Sequence, residues 1–259
     1  MRSGDASTCM ASLAWASQAR DSMTLERTRT DSTAEGPHCD HCSTRSRCVF
    51  YSLTASQAGQ MRPCIRERTV AVGELVQRQG SVGSSLMVVK VGLFKGLRAA
   101  PGQEQKAIAI LGKGRLLGFN NLYRQPAPLT LVAMTPARIC EADVDAVHGL
   151  AMVHQQFRQR VYQAVGSYID CVADWSRILR EDSYLRKLCQ ALHLIANEEG
   201  CSAFRIPSHI ELANVLGSRR ETIARHIGLL IDRGMFRKVD RWHGMLLDSG
   251  CDAQVSRAA

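Results

Sequence analysis

Short apolar runs separated by glycines fill residues 61–145 of the chain. Val, Ile and Leu cluster in runs of a few residues, and glycines punctuate these runs at Gly73, Gly80, Gly92, Gly102, Gly112, Gly114 and Gly118. Glycine permits the backbone conformations of tight turns, and short apolar runs between turns are typical of strands. The pattern therefore predicts an antiparallel β-barrel or jelly roll.

Beyond Gly149 the period of the apolar positions becomes that of a helix. Apolar residues recur at alternating steps of four and three, at Val161, Val165, Tyr168, Val172, Trp175 and Leu179. This heptad seam predicts one long helix over residues 151–180, about 45 Å in length, that pairs with a second copy of the chain. The alternative is a helix that lies on the barrel of its own chain. A further helix is expected over about residues 182–197, ending at Gly200.

Residues 208–231 show the pattern of two short helices joined by a turn. Ser208 and Glu211 have the spacing of a capping box, and Gly217 is expected to end the helix that this box begins. Ser218 and Glu221 repeat the same spacing and are expected to begin the second helix. This arrangement predicts a helix-turn-helix, whose second helix enters the major groove of DNA.

The side chains at the start of the second helix suit base reading. Arginine can donate two hydrogen bonds to guanine, and glutamate can accept one from cytosine. We therefore predict Arg220, Glu221 and Arg225 as base readers, with Arg219 and Ser218 as further DNA contacts. The alternative is that these charges only solvate a surface helix.

Positive charge is concentrated in the same region. The chain has a formal net charge of +9, and residues 205–241 hold eight Lys or Arg against four Asp or Glu. Residues 235–248 are predicted to form a hairpin, a wing that brings Arg237, Lys238 and Arg241 to the phosphate backbone. Residues 49–150 hold twelve basic side chains against six acidic ones. We interpret that second excess as a solvated basic surface.

The remaining composition excludes several classes of protein. Residues 1–36 are rich in Ser, Thr, Ala and Arg without periodicity, which predicts a flexible tail. No apolar stretch approaches the ~20 residues that cross a bilayer, so we expect a cytoplasmic protein with no membrane partner. No nucleophile–base pair, phosphate loop or His-Glu-x-x-His pattern is found, so we do not expect an enzyme.

Four of the ten cysteines form a candidate metal site. Cys39, Cys42 and Cys48 follow a Cys-x2-Cys-x5-Cys spacing beside His38 and His41, and Cys140 lies late in the predicted barrel. Four thiolates can hold zinc or an iron-sulfur cluster, and the spacing leaves both open. An enzyme or electron carrier that uses these thiols is a further alternative. The other cysteines are expected to be packing or tail thiols: Cys9, Cys64, Cys171, Cys189, Cys201 and Cys251.

The order of barrel, long helix and winged helix-turn-helix resembles the CRP/FNR family of bacterial transcription regulators over roughly residues 39–248. The string Arg220-Glu221-Thr222-Ile223-Ala224-Arg225 is similar to the Arg-Glu-x-x-x-Arg signature of the CRP branch, which reads TGTGA-like half-sites. The FNR branch instead tends to have Ser at the position of Ala224 and a residue other than Arg at that of Arg220. The family usually caps this helix where Arg219 stands. The resemblance implies an α+β fold, with a cyclic-nucleotide-binding-like jelly roll followed by a dimerisation helix.

The cysteine pattern is similar to that of the FNR branch, which has the same trio ahead of the barrel and a later Cys-Glu pair, as in Cys140-Glu141. The resemblance implies an oxygen-labile 4Fe-4S cluster on Cys39, Cys42, Cys48 and Cys140, whose presence favours the dimer and DNA binding. No cyclic nucleotide is expected, because the family's Gly-Glu and Arg-Ser or Arg-Thr pairs are absent. Phe119 follows Gly118, and Pro128-Leu129 stands where the arginine pair belongs.

Together these features predict a homodimeric regulator that binds palindromic double-stranded DNA with TGTGA- or TTGA-like half-sites, acts on RNA polymerase and senses oxygen or redox state. The alternative is a regulator of the same family without a cluster, which senses haem-bound gas or a small ligand in the barrel. The predicted division is a tail (1–36), a sensor domain (37–150), a dimerisation helix (151–180) and a winged helix-turn-helix domain (181–259).

Overall fold

A computed structural model of the chain describes residue 39 and residues 42–247. The predicted tail over residues 1–36 lies outside the described residues, as do Cys9, Cys251, His38 and His41. In the part that is described, no helix combines the length and the apolar character needed to span a bilayer.

Eight strands form two antiparallel sheets of four strands each, as the glycine-punctuated pattern predicts. The first sheet has the order β1-β8-β3-β6, with bounds Ile65–Val70, Ala137–Asp143, Ser85–Val91 and Leu116–Leu117. The second has the order β2-β7-β4-β5, with bounds Leu75–Gln77, Thr130–Ala133, Phe94–Arg98 and Lys106–Leu111. Val89 from the first sheet and Phe94 from the second belong to one buried cluster, so the sheets share a core. This is the jelly-roll arrangement expected from the sequence.

Gly92, between β3 and β4, shows why glycine punctuates these strands. Its φ is +95°, in the left-handed region, and a Cβ there would lie 2.6 Å from the Cβ of Ala137. Only glycine fits both the backbone conformation and the space, so the chain can cross from one sheet to the other in a tight turn.

Shorter helical segments flank the barrel. Helix α1 spans Ala55–Met61 and begins with a capping box between Thr54 and Gln57. Single 3-10 turns occupy Arg45–Arg47, Val49–Ser52, Arg62–Cys64 and Phe119–Tyr123.

The predicted long helix is present, but it begins later than expected. Helix α2 spans Val144–Val153 and α3 spans Gln155–Leu179, and His154 between them is extended with φ −119° and ψ 100°. Residues 151–153 therefore belong to the preceding helix. Neither proline nor glycine marks this break, which is why the sequence pattern did not locate it.

The predicted dimerisation seam needs correction, because part of it is buried inside the single chain. Val161, Tyr168 and Trp175 are buried. The Trp175 indole donates to the carbonyl oxygen of Ile110 in β5 at 3.1 Å, and the Tyr168 ring packs edge-on against Phe119 at 5.1 Å. These three residues hold α3 on its own barrel and are not available to a partner. Val165, Val172 and Leu179 are half-buried beside them.

The C-terminal part of the described chain is a winged helix-turn-helix. Helix α4 (Tyr184–Glu199) ends at Gly200, whose φ is +70°, as predicted. Helices α5 (His209–Leu216) and α6 (Arg220–Asp232) follow. A three-stranded sheet of order β10-β11-β9 completes this part, with bounds Phe236–Lys238, His243–Leu246 and Ala203–Arg205.

Candidate functional site

Consecutive three-residue turns place the N-terminal cysteines on one side of the chain. The backbone N–H groups of residues 42, 45, 48 and 51 donate to the carbonyl oxygens three positions earlier, at 3.0 to 3.3 Å. These turns do not form one continuous 3-10 helix, because Cys48, between Arg45–Arg47 and Val49–Ser52, is extended with φ −80° and ψ 130°. The successive turns keep the segment compact, and Cys39, Cys42 and Cys48 line one space.

The three thiols and Cys140 line a common cavity of about 30 Å³ that is partly open to solvent. Arg45 and Tyr51 continue the three-residue pattern along its wall, and the Arg45 guanidinium lies 4.4 Å from the Tyr51 ring centre. The other lining residues are Phe50, Ile65 and Lys90. The structure therefore brings together all four cysteines that the sequence singled out.

Strand geometry presents Cys140 to this cavity. Cys140 lies on β8, paired with Glu67 of β1 and Val88 of β3. Successive side chains alternate between the faces of a strand. Its neighbour Glu141 is consequently on the other face, where it forms ion pairs with Arg66 at 3.2 Å and Arg68 at 3.0 Å.

Lys90 contributes two contacts at the cavity wall, one through its backbone carbonyl and one through its charged side chain. The Thr44 hydroxyl donates to the carbonyl oxygen of Lys90 at 2.7 Å, which ties the cysteine segment to β3. The Lys90 ammonium pairs with Glu67 at 2.5 Å. Burial raises the pKa of the Cys140 thiol to about 12, with a further rise from Cys48, whereas the charge of Lys90 opposes this rise. Burial likewise raises the pKa of Cys48 to about 11.

The spread of the thiols limits what they can bind. In residue 39 and residues 42–247, no three His, Cys, Asp or Glu side chains are placed as ligands of one metal ion. A single zinc ion needs each thiolate within about 2.3 Å of one centre. As placed, the four thiols therefore do not form a ready-made site for a single metal ion.

A second candidate site is the surface of the helix-turn-helix. Ser208 caps α5, since its hydroxyl accepts from the backbone N–H of Glu211 at 3.2 Å. The Glu211 carboxylate does not complete the capping box and instead pairs with Lys95 of β4 at 2.7 Å. Gly217, with φ +66°, ends α5 as predicted.

The second predicted capping box is wrong. Helix α6 begins at Arg220, its N-cap is Arg219, and no side chain caps it. The Ser218 hydroxyl instead accepts a hydrogen bond from the Tyr184 hydroxyl of α4. The hydrogen bond with Tyr184 has thus replaced the predicted cap. The N-cap position is Arg219, one residue later than the predicted Ser218.

The start of α6 is open to solvent and positively charged. Arg219, Arg220, Glu221 and Arg225 are exposed, whereas Ile223, Ile227 and Leu230 are buried below them. The wing residues Arg237, Lys238 and Arg241 are also exposed. The pKa of His209 is lowered by partial burial and then by Lys238 and Arg220, so helix and wing cations act on the same place. This surface can contact a polyanion.

Sequence reasoning missed three residues of the cysteine cavity. Arg45 and Tyr51 could have been found from the three-residue period that they share with the cysteines. Lys90 reaches the cavity only through the register of β3 in its sheet. No local pattern signals that placement.

Comparison with known proteins agrees with this architecture. Residues 67–154 match the family model described as "Cyclic nucleotide-binding domain". The chain is 22% identical to Electron transport regulator A of Shewanella oneidensis, over 82% of this chain and 89% of that protein. It is 24% identical to Transcriptional activator protein FnrA of Stutzerimonas stutzeri, over 73% and 80% respectively.

Solved structures show the same fold. FixK2 from Bradyrhizobium japonicum superposes with a TM-score of 0.62 at 13% identity, covering 71% of this chain and 93% of that one. A CRP-family transcriptional regulator from Thermus thermophilus, TTHB099, gives 0.54 at 19% identity, covering 70% and 92%.

Proposed function

We propose that the chain is a member of the CRP/FNR family, in its FNR-like branch, and that it is a sequence-specific DNA-binding transcription regulator, as its similarity to regulators of that kind supports. It acts in the cytoplasm as a homodimer on palindromic double-stranded DNA with TGTGA- or TTGA-like half-sites. Its output passes through RNA polymerase and not through catalysis. We propose residues 37–153 as the sensor, α3 (Gln155–Leu179) as the dimerisation helix and residues 181–259 as the DNA-binding domain.

The observation that carries this proposal is the exposed, cationic start of α6. Ile223, Ile227 and Leu230 anchor the helix in the core, so its outer side is held rigidly. Arg220 and Arg225 then project from a fixed support, as bidentate contact with guanine requires. The exposed wing cations suit phosphate contacts on either side of the groove.

Substitution of the base-reading arginines tests this assignment. Arg220→Ala and Arg225→Ala should each weaken binding to the cognate duplex by about 1–3 kcal/mol and relax the base choice at one position. Binding is measured by fluorescence anisotropy with TGTGA, TTGA and scrambled duplexes.

Arg233→Ala is the matched control, because Arg233 is exposed at the opposite end of the same helix. It should leave the ratio of cognate to scrambled affinity unchanged. If Arg220→Ala and Arg225→Ala weaken the scrambled duplex as much as the cognate one, these residues are not base readers.

For the sensor we propose a 4Fe-4S cluster held by Cys39, Cys42, Cys48 and Cys140. When bound, the cluster supplies a group that oxygen and redox agents can alter. The turns of the N-terminal segment orient three of the thiols, and β8 supplies the fourth from the barrel. The ligand set therefore spans two segments that are about a hundred residues apart, and ligation would fix the N-terminal segment against the barrel.

An absorption spectrum with iron and sulfide analysis of anaerobically purified protein tests the cluster. We expect a broad visible band that bleaches in air, with about four irons per chain. Cys140→Ser should lose this iron while the far-ultraviolet circular dichroism stays unchanged. Cys201→Ser is the matched control, because Cys201 is exposed outside the cavity and its thiol contacts only the nearby carbonyl of Ala203 among the described residues.

Full iron in Cys140→Ser would contradict the ligand assignment. A Soret band in place of the broad iron-sulfur band would transfer sensing to haem. A colourless wild-type protein that still binds DNA would transfer it to a small ligand in the barrel. A cyclic nucleotide is not proposed, because the corresponding segment uses its polar groups internally. Asn121 accepts from the backbone N–H of Gly83 and donates to the carbonyl of Ser85, both at 2.8 Å, and Leu129 is buried.

The homodimer is proposed to form through a different side of α3 from the buried seam. Tyr162 and Ile169 are 57% and 60% exposed, and Gly166 and Ala173 complete a second series at steps of four and three. Apart from its chain neighbours and the backbone of its own helix, no atom of the described residues lies within 4 Å of the position of a Cβ on Gly166. A second helix could approach closely there, with the large residues on either side packing against it.

A further inference from the structure

A second cavity lies on the other side of the cysteine segment and is lined with cations. It has a volume of about 370 Å³, is partly open to solvent, and lies between the N-terminal segment, the β5–β6 turn, α3 and the end of α4. Four cationic side chains from three separate segments line it, at Arg47, Lys113, Arg115 and Arg160. Glu198 is its one lining carboxylate.

That carboxylate is already neutralised. Both oxygens of Glu198 accept from the Arg115 guanidinium, at 2.9 and 3.0 Å from Nε, and one also accepts from the backbone N–H of Gly112 at 2.7 Å. The buried pair therefore contributes no net charge to the cavity. The other three cationic side chains that line the cavity, Arg47, Lys113 and Arg160, leave it with a net positive charge.

Among the ion pairs of the described residues, none includes Arg47, Lys113 or Arg160. Arg47 donates to the carbonyl oxygen of Asn197, at the end of α4, at 2.6 Å. Glu199 is influenced by the charge of Lys113, but burial keeps its pKa raised and it does not line the cavity. Arg47 and Arg160 are exposed and Lys113 is half-buried, so water and salt screen part of their mutual repulsion, and an anion bound between them would lower it further.

We propose that this cavity is a binding site for a small phosphorylated anion. Guanidinium groups offer paired donors that match phosphate oxygens, and a lysine ammonium adds a point charge. The Ser46 and Ser167 hydroxyls at the rim supply further donors. The volume lies in the range of small-molecule sites, and the polar lining disfavours an apolar effector. Two of the basic side chains in the excess of residues 49–150, Lys113 and Arg115, therefore line the proposed anion site.

The position of the site would allow a bound anion to affect both the cysteine segment and the DNA-binding part of the chain. Arg47 immediately precedes Cys48, and its guanidinium reaches α4 in the DNA-binding part of the same chain. An anion bound to Arg47 would therefore touch the segment that carries the thiols and the helix that leads into the helix-turn-helix. Cys48, a proposed cluster ligand, also lines this cavity, so the anion and the cluster can affect each other, whereas none of the residues proposed to contact DNA lines it.

Calorimetric titration of the full chain with sodium pyrophosphate, in phosphate-free buffer at constant ionic strength, tests the proposal. We expect saturable binding of one pyrophosphate per chain. Lys113→Ala and Arg160→Ala should each weaken the affinity about tenfold, the loss expected for one charge-assisted hydrogen bond. Arg177→Ala is the matched control, because Arg177 is on the same helix as Arg160 but lies outside the cavity. It should leave the affinity unchanged.

Two results would overturn the proposal. One is equal weakening by Arg177→Ala, which would mean that pyrophosphate only condenses on a basic surface. The other is loss of binding in an Arg220→Ala/Arg225→Ala variant, which would place the anion on the DNA-reading surface. Circular dichroism checks the fold of each variant, and Lys113→Ala is decisive if Arg160→Ala destabilises α3. Because the readout is pyrophosphate binding, it can succeed even if the cluster or DNA proposal fails.

Discussion

Glu198 is the carboxylate through which α4 contacts the barrel. It is buried, and it accepts hydrogen bonds from Arg115 and from the backbone N–H of Gly112. Arg115 also donates to the hydroxyl of Ser167 on α3 at 2.7 Å. One ion pair thereby links the β5–β6 turn to two helices that are separate in sequence. Its removal would leave a guanidinium with no counter-charge in a mostly buried place.

Glu198→Ala should therefore lower the free energy of unfolding by about 3 kcal/mol, since breaking one partner of a buried pair leaves the other uncompensated. Urea unfolding followed by circular dichroism measures this loss. Glu104→Ala is the control, because Glu104 is exposed, and it should change the free energy by less than about 0.5 kcal/mol. Equal midpoints for the two variants would show that the pair is not stabilising in this way.

At the scale of single residues, sequence reasoning identified the chemistry but not the partners. The four cysteines and the exposed arginines of α6 were recognised because their types and spacing are local features. The Arg115–Glu198 pair joins residues 83 positions apart, so only the folded chain reveals it. The same holds for the Ser218 hydroxyl, which Tyr184 diverts from the cap that its sequence spacing predicted.

At the scale of elements, the three-residue turns of the cysteine segment carry the proposed sensor. One alanine inserted between Arg45 and Ser46 would disrupt the turn in which the backbone N–H of Cys48 donates to the carbonyl oxygen of Arg45, and would move Cys48 relative to Cys39 and Cys42. We expect the anaerobically purified insertion variant to contain as little iron as Cys140→Ser. The measurement is iron per chain, together with the visible absorption band.

An alanine inserted after Gly102 is the matched control, since this glycine lies in an exposed turn between β4 and β5. That variant should keep its iron. A variant with the insertion after Arg45 that retained full iron would show that this turn does not position Cys48 as a ligand.

Helix α3 shows the limit of pattern reading for an element. The heptad pattern predicted the helix, because period alone distinguishes helix from strand. It did not separate a face proposed to contact a partner from one that packs inside the chain, because Val161, Tyr168 and Trp175 produce the same pattern while packing on the chain's own barrel. The second series was overlooked because Gly166 and Ala173 are small, although small residues allow close helix contact.

For the whole described unit, the barrel and the helix-turn-helix share one buried core. Ile110 of the barrel, Trp175 of α3 and Ile223 of α6 belong to the same cluster. Lys95 of β4 also pairs with Glu211 of α5 at 2.7 Å. A change in the position of α3 on the barrel would therefore change the position of α6. An interface on the outer side of α3 is well placed to make that change.

Ile169→Glu should accordingly convert the dimer into monomers, because two glutamates would face each other across the paired helices and lose the apolar contact. Sedimentation equilibrium measures the dissociation constant, which should rise by at least about tenfold, the equivalent of one buried aliphatic side chain. Met152→Glu is the matched control, since Met152 is an exposed apolar residue on α2. It should leave the dimer intact. If Ile169→Glu stays dimeric while Val165→Glu dissociates, the partner contacts the half-buried part of the original seam, and the outer series is only solvated surface.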